Sequence, residues 1–335
     1  MNIRKRMLRL VTLTLPVLGL IASSTVRAET VIPLATWGSP NHVCNRVFVS
    51  SLERALKERA PKTIQFQLFP GGQLGQDKDM PTAIPLGKVK FGWITVNGWT
   101  GVVPDTKVMD APTGLTMEAL DVLVEKPNGL LAVLKKRFAE KNTALLALAD
   151  LGPPAIVSNV PILSPTDLKG KKVRVFSAGQ VEAVRLLGGS PVNIAFAEVY
   201  TAMQRGTVDA AIIGFQGVDS QKMYEVSKYV LVPASFLGTT MMGWAANLQW
   251  LNAMPPRDRK VFLESVRKAD LDTKKAINGE IDGMAQGYRQ RGMTVTFLNP
   301  KMKEYSAWRD ATRPLLEKAK TQLSPEVAAL IAPPK

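Results

Sequence analysis

The chain is poor in the residue types on which catalysis and metal binding usually depend. His42 is the only histidine and Cys44 the only cysteine among its 335 residues. A Ser-His-Asp triad therefore has one available base, and no GxSxG or GxxxxGK[ST] string accompanies it. Zinc would need several His or Cys ligands, and no EF-hand spacing of carboxylates occurs. We expect no catalytic residues, no metal site and no cofactor, with His42 in a loop or at a helix start.

Arg174 is the residue whose position points most directly to binding chemistry. It lies between Val173 and Val175 in a short run that predicts a β-strand. Its guanidinium then points to the face opposite these apolar neighbours or lies at the strand end, where it needs a carboxylate partner. That partner is either an acidic side chain of the protein or the carboxylate of a ligand. The residues alone do not distinguish the two.

The elements that position Arg174 follow an α/β pattern. Residues 31–36 and 64–68 predict strands on either side of a helix that Pro61 ends, which makes a β-α-β unit. The same alternation returns between residues 155 and 233, with strands at 172–176 and 208–213. A chain of this length favours two packed lobes with a cleft between them.

A very long helix is predicted near the C-terminal end. Its periodic pattern extends from Pro256 to about Gly292, far enough to cross from one lobe to the other. Gly279, Gly283 and Gly287 are expected to weaken it or to permit close packing. We divide the chain into lobe I, residues 29–151 and 240–279, and lobe II, residues 152–239 and 280–335.

Five sequence blocks resemble the solute-binding proteins of tripartite ATP-independent periplasmic (TRAP) transporters. They occur in the family's order, and together with the long helix they cover essentially the whole chain. The five blocks in this chain are FPGGQLG (69–75), DLKGKKVRV (167–175), PVNIAFAEVYTAM (191–203), GTVD (206–209) and SQKMYEVSKY (220–229). In the same order, the family strings are FP-x-GQLG, DLKG-x-K-(I/V)RV, PVPM-x-FSEVYTAL, G-x-VD and SQKFYEV-x-KY.

The resemblance implies a fold, a role for Arg174 and a set of partners. It implies a two-lobed, type II-like periplasmic binding protein fold with a ligand cleft between the lobes and a long helix spanning them. In the family, the arginine at the position of Arg174 clamps the ligand carboxylate. The implied partners are small and large membrane subunits, with transport driven by a sodium gradient. We expect a monomer that does not bind nucleic acid and whose mature chain is not inserted in a membrane.

Two departures from the family pattern bear on the ligand. The GFR-like segment that supplies a second arginine reads LGPPA at residues 151–155, and the QEN-like run after G-x-VD reads AAIIGFQ at 210–216. The first change removes a cation, and the second removes an amide and a carboxylate. We therefore expect a monocarboxylate with an apolar or aromatic body, although several of the aromatic rings could equally belong to the core. The predicted ligand-binding residues are Arg174, Trp37, Asn97, Trp99, Phe196, Ile213, Phe215, Gln216 and Trp244.

Other classes of function remain open to an α/β chain of this kind, since a fold does not fix a function. One alternative is a solute receptor that serves a sensor kinase or an ABC-type importer. Another is an α/β enzyme that acts on organic acids, although the residue inventory gives it little support.

The N-terminal segment has the three regions of a secretory signal peptide in order. Basic residues at 4–6 and 9 precede an apolar run at 10–22, and Val26-Arg27-Ala28 supplies small residues at the cleavage positions. The apolar run is too short to span about 30 Å of hydrocarbon. Cleavage after Ala28 removes five basic residues and lowers the formal charge from +15 to +10, which suits the capture of anions.

We predict that the mature protein begins at Glu29 and is located in the periplasm. Mass spectrometry of protein isolated from the periplasmic fraction should give the mass of the chain from Glu29 onward. An intact Met1 on exported protein would contradict this prediction.

Overall fold

The computed structural model describes residues 29–37, 44–60, 62–150, 153–239 and 241–331. The predicted signal peptide and His42 lie outside these residues. Within the described part of the chain, no helix has both the length and the apolar character that a membrane crossing requires.

The structure contains two mixed β-sheets, each built mainly from parallel strands. The first has the order β2-β1-β3-β10-β4 and the second the order β11-β9-β5-β8-β6-β7. The strands are β1 (Thr30–Ala35), β2 (Ile64–Phe69), β3 (Phe91–Thr95), β4 (Thr143–Asp150), β5 (Pro154–Ser158), β6 (Lys172–Val175), β7 (Ser190–Asn193), β8 (Ala210–Gly214), β9 (Tyr229–Val232), β10 (Met241–Asn247) and β11 (Thr294–Phe297).

Helices connect the strands and cover the sheets. They are α1 (Ser50–Arg59), α2 (Met80–Ala83), α3 (Met117–Glu125), α4 (Leu130–Ala139), α5 (Ala178–Leu186), α6 (Val199–Gln204), α7 (Gly217–Ser220), α8 (Leu248–Ala253), α9 (Pro256–Gln290), α10 (Lys303–Gln322) and α11 (Pro325–Leu330). A π-helical turn, Cys44–Val49, precedes α1, and short 3-10 turns include Val96–Trp99 and Pro104–Asp110. The predicted two-lobed α/β fold with a long helix is confirmed.

The chain passes between the two sheets after β4 and again after β9, and strand pairing shows which sheet edges these crossings join. β10 is antiparallel to β3 and begins opposite its last residues, with Met242 beside Thr95. β5 is antiparallel to β8 and begins opposite its end, with Pro154 beside Gly214. Both crossings therefore connect the carboxyl ends of the parallel strands in one sheet to the carboxyl ends in the other. These two edges face each other across the hinge.

α9 is the long element that ties the lobes together. It contains 35 residues, which corresponds to about 52 Å at about 1.5 Å per residue. In the first lobe it packs against α1 and β4, and near its C-terminal end it packs against β11 of the second. There Tyr288 Oη donates a hydrogen bond to the carbonyl of Phe215 at 3.1 Å.

The three glycines of α9 do not serve close packing. The helix continues through Gly279, Gly283 and Gly287 to Gln290. A Cβ atom placed on any of the three would have no non-neighbouring heavy atom within 4 Å. The expectation of close packing at these positions is therefore wrong. Of the two expected effects, only the weakening of the helix by the low helix propensity of glycine remains.

The C-terminal helices contact both lobes. α10 packs against α5 of the second lobe, whereas α11 packs against α4 of the first. Arg137 of α4 forms an ion pair with Glu326 of α11 at 3.2 Å, and the backbone N–H of Ser324 donates to Asp105 at 2.7 Å. The predicted division assigned residues 280–335 to lobe II, whereas α11 packs against α4 of lobe I.

A buried ionic cluster fixes α9 against α3. Asp270 is fully buried on α9, and its carboxylate lies 3.1 Å from Lys274 one turn later. Lys274 also binds Glu125 at the end of α3, which in turn lies 3.5 Å from Arg267. Burial raises the pKa of Asp270 from its ordinary value to about 6, although the charge of Lys274 opposes this shift.

We predict that Asp270 makes the stability of the protein depend on pH between about 4 and 6. Folded Asp270 holds its proton more tightly than the unfolded chain does, so the wild type loses stability as pH rises through this window. The Asp270→Asn variant lacks this titrating group, so its free energy of unfolding should not show this loss. The difference between the variant and the wild type should therefore increase in favour of the variant by on the order of 2–3 kcal/mol from pH 4 to pH 7. Urea unfolding of both proteins at several pH values measures this difference in the free energy of unfolding. A difference that stays constant with pH would contradict the prediction.

Candidate ligand-binding site

The carboxyl ends of the parallel strands place polar side chains on both sides of the hinge. In open α/β sheets, ligands bind outside these strand ends. In the first lobe, Thr36 and Trp37 follow β1 and Asn97 follows β3. In the second lobe, Arg174 lies near the end of β6 and Gln216 follows β8.

Arg174 is held across three neighbouring strands of the second sheet. Its Nη1 donates a hydrogen bond to the carbonyl of Ile212 in β8 at 2.8 Å. On the other side its Nε donates to the carbonyl of Ile194, just after β7, at 2.9 Å. The ring of Phe176 lies 5.2 Å from the guanidinium carbon. The backbone of β8, β6 and β7 therefore fixes the orientation of the guanidinium.

The charge of Arg174 has no counter-ion in the described part of the chain. The residue is only 3% exposed, and it is absent from the ion pairs within 4 Å, so it is paired with no acidic side chain among the described residues. Burial lowers its pKa to about 10, which leaves it protonated at neutral pH. A buried charge without a partner is costly, and an anion that enters beside it would offset that cost.

Asn97 is fixed by an acidic residue that sequence reasoning missed. Its Nδ2 donates to Asp110 Oδ1 at 2.9 Å and approaches the carbonyl of Thr239 in the hinge at 3.4 Å. Ser177 and Gly179, at the start of α5 in the other lobe, also approach Asp110, and hydrogen bonding from them works against a rise in its pKa. Burial raises the pKa of Asp110, and these hydrogen bonds oppose the shift. No motif in the sequence marks Asp110.

Gly179 allows Asp110 to approach α5. A Cβ on Gly179 would come within 2.3 Å of the Asp110 Cβ, so any larger residue requires the two elements to move apart. Ser177 caps the same helix by accepting a hydrogen bond from the Gln180 N–H at 3.2 Å. β6, the strand that carries Arg174, is therefore followed directly by α5, whose N-terminus is capped by Ser177. The same end of α5 contacts Asp110 of the first lobe.

Several buried polar atoms at these strand ends have no hydrogen-bond partner among the described residues. Buried polar atoms are normally paired, so each such atom calls for an explanation. Two of the atoms are donors, one in each lobe, and the others are oxygens. They are Trp37 Nε1, Gln216 Nε2, Thr36 Oγ1, Asn97 Oδ1 and Thr239 Oγ1. Thr36 and Thr239 were not predicted, although Thr36 directly follows a strand, which is the signal that could have identified it.

Two of the predicted aromatic residues lie where a ligand could meet them. Trp37 is partly exposed and stacks on Trp93, with ring centroids 4.6 Å apart. Phe196 follows β7 and is 43% exposed, unusual for a large apolar ring. Its ring packs over Gly217 at the start of α7.

The other four predicted residues are fully buried in hydrophobic cores. Trp244 stacks on Phe48 with ring centroids 3.4 Å apart, and Trp99 packs against Phe138 at 4.8 Å. Ile213 and Phe215 belong to the core cluster that joins the second sheet to α9. These side chains shape the lobes, so we leave them out of the site proposed below.

A second space between the lobes has the opposite charge. This back cavity has a volume of about 500 Å³ and lies beside α3, α9 and the ends of β9 and β11. Its lining includes Glu118, Asp121 and Asp282, which would repel an organic anion. Among the described residues, no group of three His, Cys, Asp or Glu side chains is arranged to hold a metal ion. The strand ends around Arg174 are therefore the part of the interlobe space suited to an anion.

Known proteins resemble the chain along most of its length. The family model of bacterial extracellular solute-binding protein family 7 (DctP) matches residues 35–322. The C4-dicarboxylate-binding periplasmic protein DctP of Rhodobacter capsulatus is 28% identical over 279 residues, which cover 80% of each chain.

Solved structures share the fold. A TRAP periplasmic solute-binding protein from Ochrobactrum anthropi, with its C-terminus bound in the ligand-binding pocket, superimposes with a TM-score of 0.83 at 23% identity, over 91% of this chain and 94% of its own. DctP7 of Bordetella pertussis, an extracytoplasmic solute receptor binding pyroglutamic acid, gives a TM-score of 0.79 at 16% identity, over 90% and 98%. At these identities the structures establish the fold alone. The family model settles the relationship: this chain belongs to bacterial extracellular solute-binding protein family 7, the solute-binding proteins of TRAP transporters.

Proposed function

We propose that this protein captures a small organic monocarboxylate in the periplasm through Arg174 and delivers it to the small and large membrane subunits of a TRAP transporter. The observation that carries the proposal is the buried charge of Arg174, which has no acidic partner among the described residues. Of the two partners that the sequence left open, a ligand carboxylate therefore has the better support.

The guanidinium retains enough donors to bind a carboxylate with two hydrogen bonds. A guanidinium has five N–H groups, and the carbonyls of Ile194 and Ile212 use one on Nε and one on Nη1. Both N–H groups of Nη2 and one of Nη1 remain available within the described residues. Paired, charge-assisted hydrogen bonds of this kind are strong and select a planar anion.

The choice of a monocarboxylate rests on what surrounds Arg174 in this chain. At the position of the family's second arginine the hinge contains Pro153 and Pro154, both buried. Ile212 and Ile213, which replace the family's polar run, are buried as well. A second carboxylate would therefore meet no second arginine there. The exposed ring of Phe196 and the partly exposed ring of Trp37 suit an apolar or aromatic body.

Relatives bind diverse solutes, so their ligands do not identify the ligand of this chain. One relative is named for C4-dicarboxylates, and one structural neighbour binds pyroglutamic acid. The latter is a compact monocarboxylate, which makes it a useful probe.

Capture is expected to depend on closure of the lobes over the ligand. The two sheet edges already face each other across the hinge, so closure would remove water from the Arg174–carboxylate pair and strengthen it. Ligand binding would then stabilise the closed form, and the membrane subunits could distinguish it from the open form. Such a mechanism involves binding without turnover.

We predict that Arg174→Ala abolishes ligand capture. Loss of a desolvated, charge-assisted pair should cost about 2–5 kcal/mol of binding, or roughly 30- to several-thousand-fold in affinity. Arg174→Lys should also bind poorly, because an ammonium keeps the charge but not the planar fork.

A thermal-shift screen of mono-, dicarboxylic and sugar acids identifies a ligand, and calorimetric titration then measures the variants. Arg46→Ala provides the matched control, because Arg46 is exposed and, within the described part of the chain, its side chain pairs with Glu280 alone, at 3.2 Å. Unchanged affinity in folded Arg174→Ala protein would refute the clamp, and a screen that returns only dicarboxylates or sugar acids would refute the monocarboxylate.

We also predict that Arg174→Ala lowers the stability of the ligand-free protein. A clamp residue facing an open cleft would support few native contacts, but Arg174 donates to two carbonyls at the edge of the second sheet. Leaving buried carbonyls without their donor should cost about 1–3 kcal/mol in the free energy of unfolding. Urea unfolding without ligand measures the loss. The exposed control Arg46→Ala should stay within about 0.5 kcal/mol of the wild type.

A further inference from the structure

We infer that the ligand carries a hydrogen-bond donor, an O–H or N–H group, in addition to its carboxylate, and that Asn97 Oδ1 accepts from it. This inference rests on the proposed function, because it assumes that Arg174 binds the carboxylate. It narrows the ligand from monocarboxylates in general to hydroxy acids and to acids that contain an amide or lactam N–H.

The orientation of the Asn97 amide is set by its surroundings. Its Nδ2 faces two acceptors, Asp110 Oδ1 at 2.9 Å and the carbonyl of Thr239 at 3.4 Å. Hydrogen bonding from Ser177 and Gly179 also opposes the rise that burial causes in the pKa of Asp110, so its carboxylate faces donors. A flipped amide would bring Oδ1 against these oxygens. The observed orientation is therefore the one that the neighbours require.

Because Nδ2 is committed, Oδ1 is left as an acceptor. Asn97 Oδ1 is buried and has no donor among the described residues. The amide lies directly after β3, at the carboxyl edge of the first sheet, and its contact with Thr239 places it beside the hinge crossing. A buried oxygen of this kind at the proposed site is complementary to an O–H or N–H group of a ligand.

The unpaired N–H groups around the site have the opposite requirement. Arg174 retains three N–H groups, and the Nε2 amide group of Gln216, which is 8% exposed, has no acceptor among the described residues. Trp37 Nε1 is a third donor without an acceptor in the described chain. These groups suit the oxygens of a carboxylate, whereas Asn97 suits a donor. The site therefore distinguishes the two ends of a ligand by hydrogen-bond polarity.

Discrimination of this kind can be large. A site built to pair with an O–H or N–H group strongly rejects an analogue that lacks this group, because the polar atom of the site is then left unpaired. An apolar pocket discriminates much less against a ligand that lacks one methylene. Acids of similar size that differ mainly in the donor are therefore the appropriate probes.

The experiment compares matched acids by calorimetric titration on the mature full-length chain. The pairs are mandelate and 4-hydroxyphenylacetate against phenylacetate, and pyroglutamate against 5-oxotetrahydrofuran-2-carboxylate, in which a ring oxygen replaces the N–H. In the wild type, the donor-bearing member of at least one pair should bind at least tenfold more tightly. In Asn97→Leu, which has similar volume and no acceptor, that preference should fall to within about threefold. Asn252→Leu, at an exposed asparagine of α8, should keep it.

The ratio between paired acids separates recognition from a structural role of Asn97. If Asn97→Leu weakens both members equally and the preference persists, Asn97 acts only by supporting Asp110 and the inference is overturned. Equal binding of paired acids by the wild type overturns it as well, and this second test needs no variant to fold. Binding that survives Arg174→Ala, or no binding of any acid in the panel, contradicts the proposed function instead. The two failures are therefore distinguishable.

Discussion

The structure depends on one costly feature, a guanidinium buried at a sheet edge with no acidic partner among the described residues. Arg174 is tolerated there because the carbonyls of Ile194 and Ile212 accept two of its hydrogen bonds. These carbonyls are on either side of β6, so the arrangement requires β8, β6 and β7 to be neighbours in that order. Dipoles of backbone carbonyls stabilise a cation only in part, since they carry no net charge. The remaining electrostatic demand is what an anionic ligand can meet.

The two sheets are joined so that the edge carrying the buried charge of Arg174 faces the space between the lobes. Both crossings connect carboxyl edges, which brings Asn97 of the first lobe and Gln216 of the second to the same hinge. Asp110 links the two lobes, because it accepts a hydrogen bond from Asn97 in one lobe and packs closely against Gly179 in the other. α9 and the C-terminal helices make further contacts with both lobes. The two lobes are thus joined at the hinge, at Asp110 and through these helices.

Charge divides the interlobe space into two unlike halves. The strand ends of β6 and β8 present Arg174 and the amide of Gln216, whereas the back cavity beside α3 and α9 is lined by Glu118, Asp121 and Asp282. An organic anion is therefore attracted to one half and repelled by the other. The back cavity has a volume of about 500 Å³, but its size does not compensate for its charge. Charge rather than volume therefore favours the strand ends around Arg174 as the proposed site.

The sequence alone determined the alternation of strands and helices, the long helix from Pro256 and the family, and it marked Arg174 as the candidate clamp. These features depend on local periodicity, on turn residues and on short motifs, all of which are visible in a single chain. Only the tertiary structure decided that Arg174 bonds to carbonyls, that Trp244 and Phe215 are core residues, and that α11 returns to the first lobe. Asp110 could not have been identified in advance, because its partners lie 13 residues away in Asn97 and nearly 70 residues away in Ser177 and Gly179. Periodicity shows which side of an element is apolar, but it does not show which elements meet that side, since contacts between distant segments are set by the packing of the whole chain.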